Sequence, residues 1–479
     1  MDWVTRMDGN RGQTSQKVIL EGRLLKDLAQ GGDKGLQGYL AAGGYATLSQ
    51  TFTEGTEIAL ERLAASGLRG RAGGGFPAAV KWRLVRESSS TEKCFVCNAN
   101  TGQLCGGKEG ILIGLNPHRV IEAVALAARV VGAKIAFIHL GSSLEHEQQL
   151  LQEALQDAMS AGYLEMQGQT IELHIHRSEN GYIAGEETAL LELLEGRPGR
   201  PRGKPTMPTQ AGFEKRPTVV NNIETVLQAF FAIKYGPEHF REVGTKYASG
   251  TLIYCIAGDI ARPGIYELPL GIRLGELING HAGGVAGGHT FKAALVGGTS
   301  GTALGSKHLE TALDYDSLTE TGGSLGSGVI IVISSQSSMV DIARKLAKFY
   351  YETSCGKCQP CKDGTRRALY MLDHLDRIDE SAIDWDAAES SPSSRGIPML
   401  LVDNARTERS SISYTDSGTG LEKIRLICNW YSTRGDCHHS MESSRMLHSL
   451  LEGYSEEFEN ERHARGLDDT RAFPMTSES

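Results

Sequence analysis

NPHRVIEAVALAARVVGAKIAFIHL, residues 116–140, decides the fold class. It contains the longest apolar region of the chain, interrupted by Glu122, Arg129 and Lys134. A membrane-spanning helix needs about 20 consecutive, predominantly apolar residues with few charges. This segment is therefore a poor span. Its periodicity up to Gly132 predicts a packed helix, and KIAFIHL predicts a buried strand. The alternation continues outward. KCFVCNAN (93–100) reads as a strand, with Cys94 and Cys97 as core thiols; SLEHEQQLLQEALQDAMSAG (143–162) reads as an amphipathic helix and IELHIHR (171–177) as another strand. Strand and helix in turn predict a parallel sheet in an α/β domain.

At 479 residues the chain exceeds what one core supports and predicts several domains. A formal charge of −9 without a Lys/Arg run gives no nucleic-acid footprint. MDWVTRMDGNRGQTSQ at the start lacks the apolar core of a secretion signal. The expectation is a cytoplasmic protein with no span of its own, reaching a membrane only through partner subunits. Nine cysteines, three of them tightly spaced, do not resemble a secreted disulfide framework.

Beyond about Gly250 the character changes. GTLIYCIAGDIARPGIYELP (250–269) alternates short β-rich runs with Gly and Pro, and RLGELINGHAG (273–283) is helix-like. These features predict a small α+β domain over 246–335, after an α/β domain over 36–245 and a polar tail over 1–35. VDIARKLAKFYYET (340–353) and ALYMLDHLDRI (368–378) predict helices in a third domain over 336–463. Its Ser- and Asp-rich stretch, about 379–420, reads as a flexible insertion. A polar tail, 464–479, ends the chain.

Four segments carry candidate chemistry. GLRGRAGGGFPAAVKW (67–82) places Gly70, Ala72, Gly73, Gly74 and Gly75 before Phe76, with Lys81 just downstream. Such glycines let backbone N–H groups approach a phosphate, although a tight turn explains them equally. In GYIAGEETALLELLEGRPGRPRGKP (181–205), Glu186 and Glu187 stand at a helix start, where the dipole stabilises acids. VVNNIETV (219–226) offers the carboxamides of Asn221 and Asn222 to a flavin edge, or forms an ordinary Asn turn. SCGKCQPCKDG (354–364) places Cys355, Cys358 and Cys361 at two-residue intervals. Three thiolates leave a four-coordinate zinc or iron–sulfur site one ligand short.

In this order the four segments resemble the flavin- and NADH-binding subunit of respiratory complex I and of NAD-linked hydrogenases and formate dehydrogenases. The resemblance runs from about Leu36 to Glu459. It implies an FMN-binding α/β domain, a ubiquitin-like β-grasp (α+β) domain and a C-terminal α-helical [4Fe–4S] domain. It implies that FMN accepts a hydride from NAD(H), that single electrons pass to the cluster, and that Glu187 lies near the nicotinamide. By resemblance, Gly70, Arg71, Ala72 (for a glycine), Gly73, Gly75 and Phe76 form the flavin loop and Lys81 meets the flavin phosphate. Asn98, Tyr182, Gly185, Glu186, Glu187, Asn221, Asn222 and Thr225 line flavin and nicotinamide, and Lys204 contacts the nucleotide. The implied partners are a small thioredoxin-like [2Fe–2S] subunit and a larger iron–sulfur subunit.

The chain departs from that family at NANTGQLCGGK (98–108), where Asn100, Thr101 and Gln103 replace acids; Leu84 and Met207 replace aromatic residues beside the adenine. Neutral hydrogen bonds in place of charge-assisted ones predict weaker NADH binding. A structural relay without nucleotide turnover, a different donor to FMN, or flow toward NAD reduction are the rival readings. For the fourth ligand, the interval back from YSEEFE (454–459) points to Cys437; Cys428, His438 and His439 are the alternatives.

Overall fold

The computed structural model describes residues 17–30, 35–100, 102–166, 168–178, 181–203, 206–375 and 420–461. Its strands, in chain order, are β1 (Lys17–Ile19), β2 (Cys94–Ala99), β3 (Ile135–Leu140), β4 (Glu165–Met166), β5 (Gln169–Thr170), β6 (Glu172–Arg177), β7 (Thr218–Asn222), β8 (Thr251–Gly258), β9 (Gly264–Pro269), β10 (Phe291–Val296), β11 (Thr302–Gly305) and β12 (Val329–Ser334). The first large sheet is parallel, in the order β6-β3-β2-β7. Helices on both faces account for the unbroken apolar run in β2. Cys94 and Cys97 fall on opposite faces of that strand and are both buried, as expected.

The helix Pro117–Val131 is buried along its whole length. Asn116 caps it by accepting from the Arg119 N–H at 2.9 Å, proline takes the first position, and Gly132 ends it in the left-handed region. Its charges are paired inside the protein. Arg119 meets Asp27, and Glu122 accepts from the Tyr39 hydroxyl and from the N–H groups of Tyr45 and Leu48 at 3.0 and 3.1 Å. This helix is thus a core element with buried ion pairs. Among the described residues no single helix is long and apolar enough to cross a membrane.

The second large sheet, in the order β1-β9-β8-β12-β10-β11, mixes parallel and antiparallel pairs. Its first strand corrects part of the N-terminal expectation, because residues read within a polar tail build structure. Lys17–Ile19 pairs with β9, and the helix Arg23–Ala29 buries Leu24, Leu25 and Leu28. Glu267 on β9 accepts from the N–H groups of Leu24 and Leu25 at 2.9 and 2.8 Å, which caps that helix from across the fold. Burial raises the Glu267 carboxyl above its ordinary range, partly offset by these bonds and the Thr251 hydroxyl. RLGELINGHAG supplies a short helical segment, Glu276–His281.

The C-terminal part is helical: Met339–Thr353, Gln359–Asp373, Gly420–Ser432 and His438–Gly453. A Cβ at Gly364 would stand 2.3 Å from the Tyr431 ring, so glycine lets the second and third of these helices close together. The insertion expected at 379–420 lies outside the described residues, apart from Gly420 at the start of the third helix.

Candidate functional site

The glycine loop lies between a β-bridge, Arg69 to Pro77, and the helix Ala78–Arg86. Gly73 and Gly74 are exposed with open space where a Cβ would sit. Gly75 has φ of 66° and rests on the Tyr315 ring. The loop therefore presents bare backbone outward. Ala72 and Phe76 are exposed beside it, and Gly70 accepts at its carbonyl from the Tyr315 hydroxyl at 2.5 Å. Arg71 departs from the expected role. Its guanidinium is buried, donating to the carbonyls of Arg69 and Ser249 at 3.0 and 2.7 Å, while its backbone N–H donates to Thr225 Oγ1 at 2.9 Å. It ties the loop to the β-grasp domain, and Thr225 holds the loop from beneath.

Lys81 lies 3.3 Å from the Glu187 carboxylate and donates to the Val220 carbonyl at 3.2 Å. Glu186 caps the helix Glu187–Leu194 by accepting from the N–H groups of Thr188 and Ala189 at 2.9 and 2.8 Å. The acidic pair therefore divides its work, since one acid is spent on the cap and the other faces a lysine. Asn98 donates to the Gly185 carbonyl at 3.0 Å, and Asn222 caps the helix Ile223–Tyr235 while reaching the Asn98 carbonyl at 3.4 Å. Asn221 accepts from the Trp82 indole at 2.7 Å. Lys204 and Thr101 lie outside the described residues.

The loop that departs from the family is docked to other backbone. Asn100 donates to the Gly181 carbonyl at 3.2 Å. Gln103 donates to the Gly297 carbonyl and Ser300 Oγ at 3.3 and 3.2 Å and accepts from the Ser327 hydroxyl. At the end of this loop Lys108 is buried, bonded to Glu224 at 2.6 Å and to the carbonyls of Arg71 and Ser327 at 3.0 and 2.8 Å. Burial pulls the ammonium down, but Glu224 and Glu109 outweigh it and hold the pKa up. Glu224 also accepts from the Ile253 N–H at 2.9 Å on β8. Lys108 and Glu224 carry no signal in the sequence, because the residues they join are remote along the chain. Leu84 and Met207 are exposed on adjacent elements, Leu84 in the helix Ala78–Arg86 and Met207 just before the helix Pro208–Ala211.

Cys358 immediately precedes the helix Gln359–Asp373 and Cys361 lies in its first turn; Cys437 immediately precedes the helix His438–Gly453. Two of the thiols therefore occupy N-cap positions, where helix dipoles favour negative charge. Cys437 lies within electrostatic reach of Glu186, Cys355 and Cys358, and burial pushes its thiol up to about 12. Cys361 hydrogen-bonds to Cys358, which raises the first thiol and lowers the second. Buried thiols this close together need a cation to deprotonate them. Lys357 ties the two halves of the set, donating to the Pro201 carbonyl at 2.7 Å and pairing with Asp436 at 3.2 Å.

Among the described residues, no three His, Cys, Asp or Glu donors already converge on one ion-sized point. A single zinc needs that convergence, whereas the four irons of a [4Fe–4S] cluster each take a thiolate and keep the sulfurs apart. Cys428 is buried in the helix Gly420–Ser432 and interacts with Tyr431. His439 Nε2 lies 2.9 Å from the Tyr350 carbonyl, and His438 is exposed.

Comparison with known proteins gives the same order of parts. Residues 63–230 match the Nuo51 FMN-binding domain, 253–302 the SLBB domain and 341–393 the NADH-ubiquinone oxidoreductase-F iron-sulfur binding region. The HndC component of the NADP-reducing hydrogenase of Solidesulfovibrio fructosivorans is 34% identical over 74% of this chain and 72% of that protein. A crystal structure of an NAD+-reducing [NiFe]-hydrogenase in the air-oxidized state aligns with a TM-score of 0.74 at 26% identity, over 93% of this chain and 68% of that one. One of the NuoF-type NADH-quinone oxidoreductase chains of Rhizobium meliloti (strain 1021) is 38% identical over 74% of this chain and 85% of that protein. Identity at that level, held across most of a relative, places the chain: it belongs to the NuoF family of NADH-quinone oxidoreductase chains.

Proposed function

We propose that the chain is the electron-input flavoprotein of a multi-subunit redox complex, passing electrons from NADH through FMN to one [4Fe–4S] cluster. The observation that carries this reading is the approach of Cys437 to Glu186, which brings the sulfur set against the acidic flavin-side helix within one polypeptide. The residues fit both groups. The open backbone at Gly73 and Gly74 admits a phosphate, and four thiols supply the ligand set of a cluster. When bound, FMN converts a two-electron hydride into single electrons, and the cluster gives them an exit.

The chain's own residues do the placing. Cys355, Cys358, Cys361 and Cys437 hold the cluster, and the register of Cys437 with the other three favours it over Cys428. Lys81 offers positive charge beside the glycine loop and Glu187 holds it in position. Asn98 and Asn222 set the floor of the pocket, while Tyr182 closes the side toward the cysteine helices. Phe76, Leu84 and Met207 give the dinucleotide an apolar rim. The implied partners are a thioredoxin-like [2Fe–2S] subunit and a larger iron–sulfur subunit, as the next electron carriers.

A second reading has a specific observation behind it. Asn100 and Gln103 spend their amides on protein carbonyls, so they offer NADH less than free carboxylates would. NADH binding weaker than in relatives, with FMN retained, is the form that this takes. An anaerobic preparation loaded with FMN, iron and sulfide tests both. Bleaching of bound flavin by micromolar NADH supports the proposal. Flavin that stays oxidised under millimolar NADH but is reduced by dithionite refutes NADH as the donor.

A further inference from the structure

A polar cluster joins the flavin-side segment to the cysteine-bearing helix, and its centre is Glu442. This residue lies five positions after Cys437 on the helix His438–Gly453, about 7.5 Å along its axis. Its carboxylate accepts from the Tyr182 hydroxyl at 3.3 Å. The Tyr182 ring packs edge-on against Phe349 at 5.2 Å and tilted to His439 at 5.9 Å. Tyr350 stands behind them, donating to the Thr299 carbonyl at 2.6 Å. Arg445 directs its guanidinium to the Ser300 and Gly301 carbonyls, at 2.5 and 3.4 Å. The flavin-side segment, the β-grasp domain and the helical domain therefore meet around one carboxyl.

The titratable and charged groups facing Glu442 are few. Tyr182 comes from the flavin-side segment, Tyr350 from the helix Met339–Thr353, and His439 and Arg445 from its own helix. The loop Gly298–Ser300 brings hydroxyls and carbonyls only. Desolvation raises the carboxyl to about 7, with Arg445 and the Tyr182 hydroxyl pulling it partly back. An acid poised near neutrality beside a redox centre responds to that centre's charge, because an added electron favours its protonated form.

We propose that Glu442 is a redox-linked proton site, taking one proton from water when an electron arrives on the adjoining centre and releasing it when the electron leaves. The inference rests on the function proposed above, in which NADH supplies the electron. The balance is simple: carboxylate plus proton gives the neutral acid, one O–H bond forms, and onward transfer of the electron to the partner reverses it. Glu442 is not a ligand of the cluster. It acts through the field at the centre and is a positioning residue.

The test uses the loaded full chain. The midpoint potential of the cluster is followed by EPR-monitored titration at several pH values between about 6 and 8, bracketing the ordinary histidine range, in the wild type and in Glu442→Gln. In the wild type the reduction equilibrium becomes at least about fivefold less favourable across that window, a typical size for coupled sites. In Glu442→Gln the dependence is lost. Reduced-minus-oxidised infrared spectra of the wild type supply a second readout that needs no variant, and a protonated-carboxyl band grows on reduction. A potential independent of pH, or no such band, overturns the proposal. If dithionite gives the pH-dependent potential but NADH reduces nothing, the proton site stands and NADH as donor falls.

Discussion

The cysteine set and the loop 98–108 are built on opposite principles. Three of the four thiols sit within seven residues of one another, and their geometry follows from two helix starts. The loop takes its shape from residues far away: Gln103 from Gly297, Ser300 and Ser327, and Lys108 from Glu224 and Ser327. Local spacing can specify a metal centre, while the nucleotide face depends on how domains dock. The substitutions at Asn100 and Gln103, read from sequence as lost contacts to NADH, also act as contacts that hold the loop to its neighbours.

The largest effect should come from the cysteine side. Cys358→Ala should abolish cluster absorbance and iron near four per chain while leaving bound FMN and a normal circular-dichroism spectrum; an intact cluster in that variant would break the contrast. Next is Lys108→Met. It leaves Glu224 buried without its cation, and breaking a buried pair from one side costs about 3–5 kcal/mol, read by urea denaturation. A loss below about 1 kcal/mol, the worth of an ordinary hydrogen bond, would mean that the loop is not anchored there.

Smaller effects sharpen the loop side. Asn100→Asp and Gln103→Glu place acid oxygens against the Gly181 and Gly297 carbonyls. Each should destabilise the fold by about 1–2 kcal/mol, the usual worth of a lost buried bond, and NADH affinity should rise less than simple restoration of charge suggests. Calorimetric titration measures the affinity. A tenfold tightening without loss of stability would show that the docking contacts carry no weight. Smallest is Lys357→Ala. Its pair with Asp436 is partly exposed and worth less than about 1 kcal/mol, so cluster content should persist with a modest drop in melting temperature.

Much of this was legible in the residues. The helix Pro117–Val131 and strand Ile135–Leu140 follow from periodicity, and Cys94 and Cys97 separate because a strand alternates faces. The order of motifs gave the family and the three-part fold. Long-range burial was not legible. Lys17–Ile19 is a three-residue strand whose partner is β9, and the helix after it is capped by Glu267. Arg71 looked like a cofactor ligand by position but is drawn inward by Ser249 and Arg69. Glu442 carried no sequence signal at all, since an acid on an amphipathic helix ordinarily faces solvent.

The most direct test mixes the anaerobically loaded chain with NADH, freezes it within milliseconds and records its EPR spectrum without any partner subunit. A reduced iron–sulfur signal that appears as flavin absorbance falls is the predicted result. Protein that binds zinc in place of iron, or flavin that bleaches while the cluster stays oxidised although dithionite can reduce it, would contradict electron transfer between the two sites of this chain.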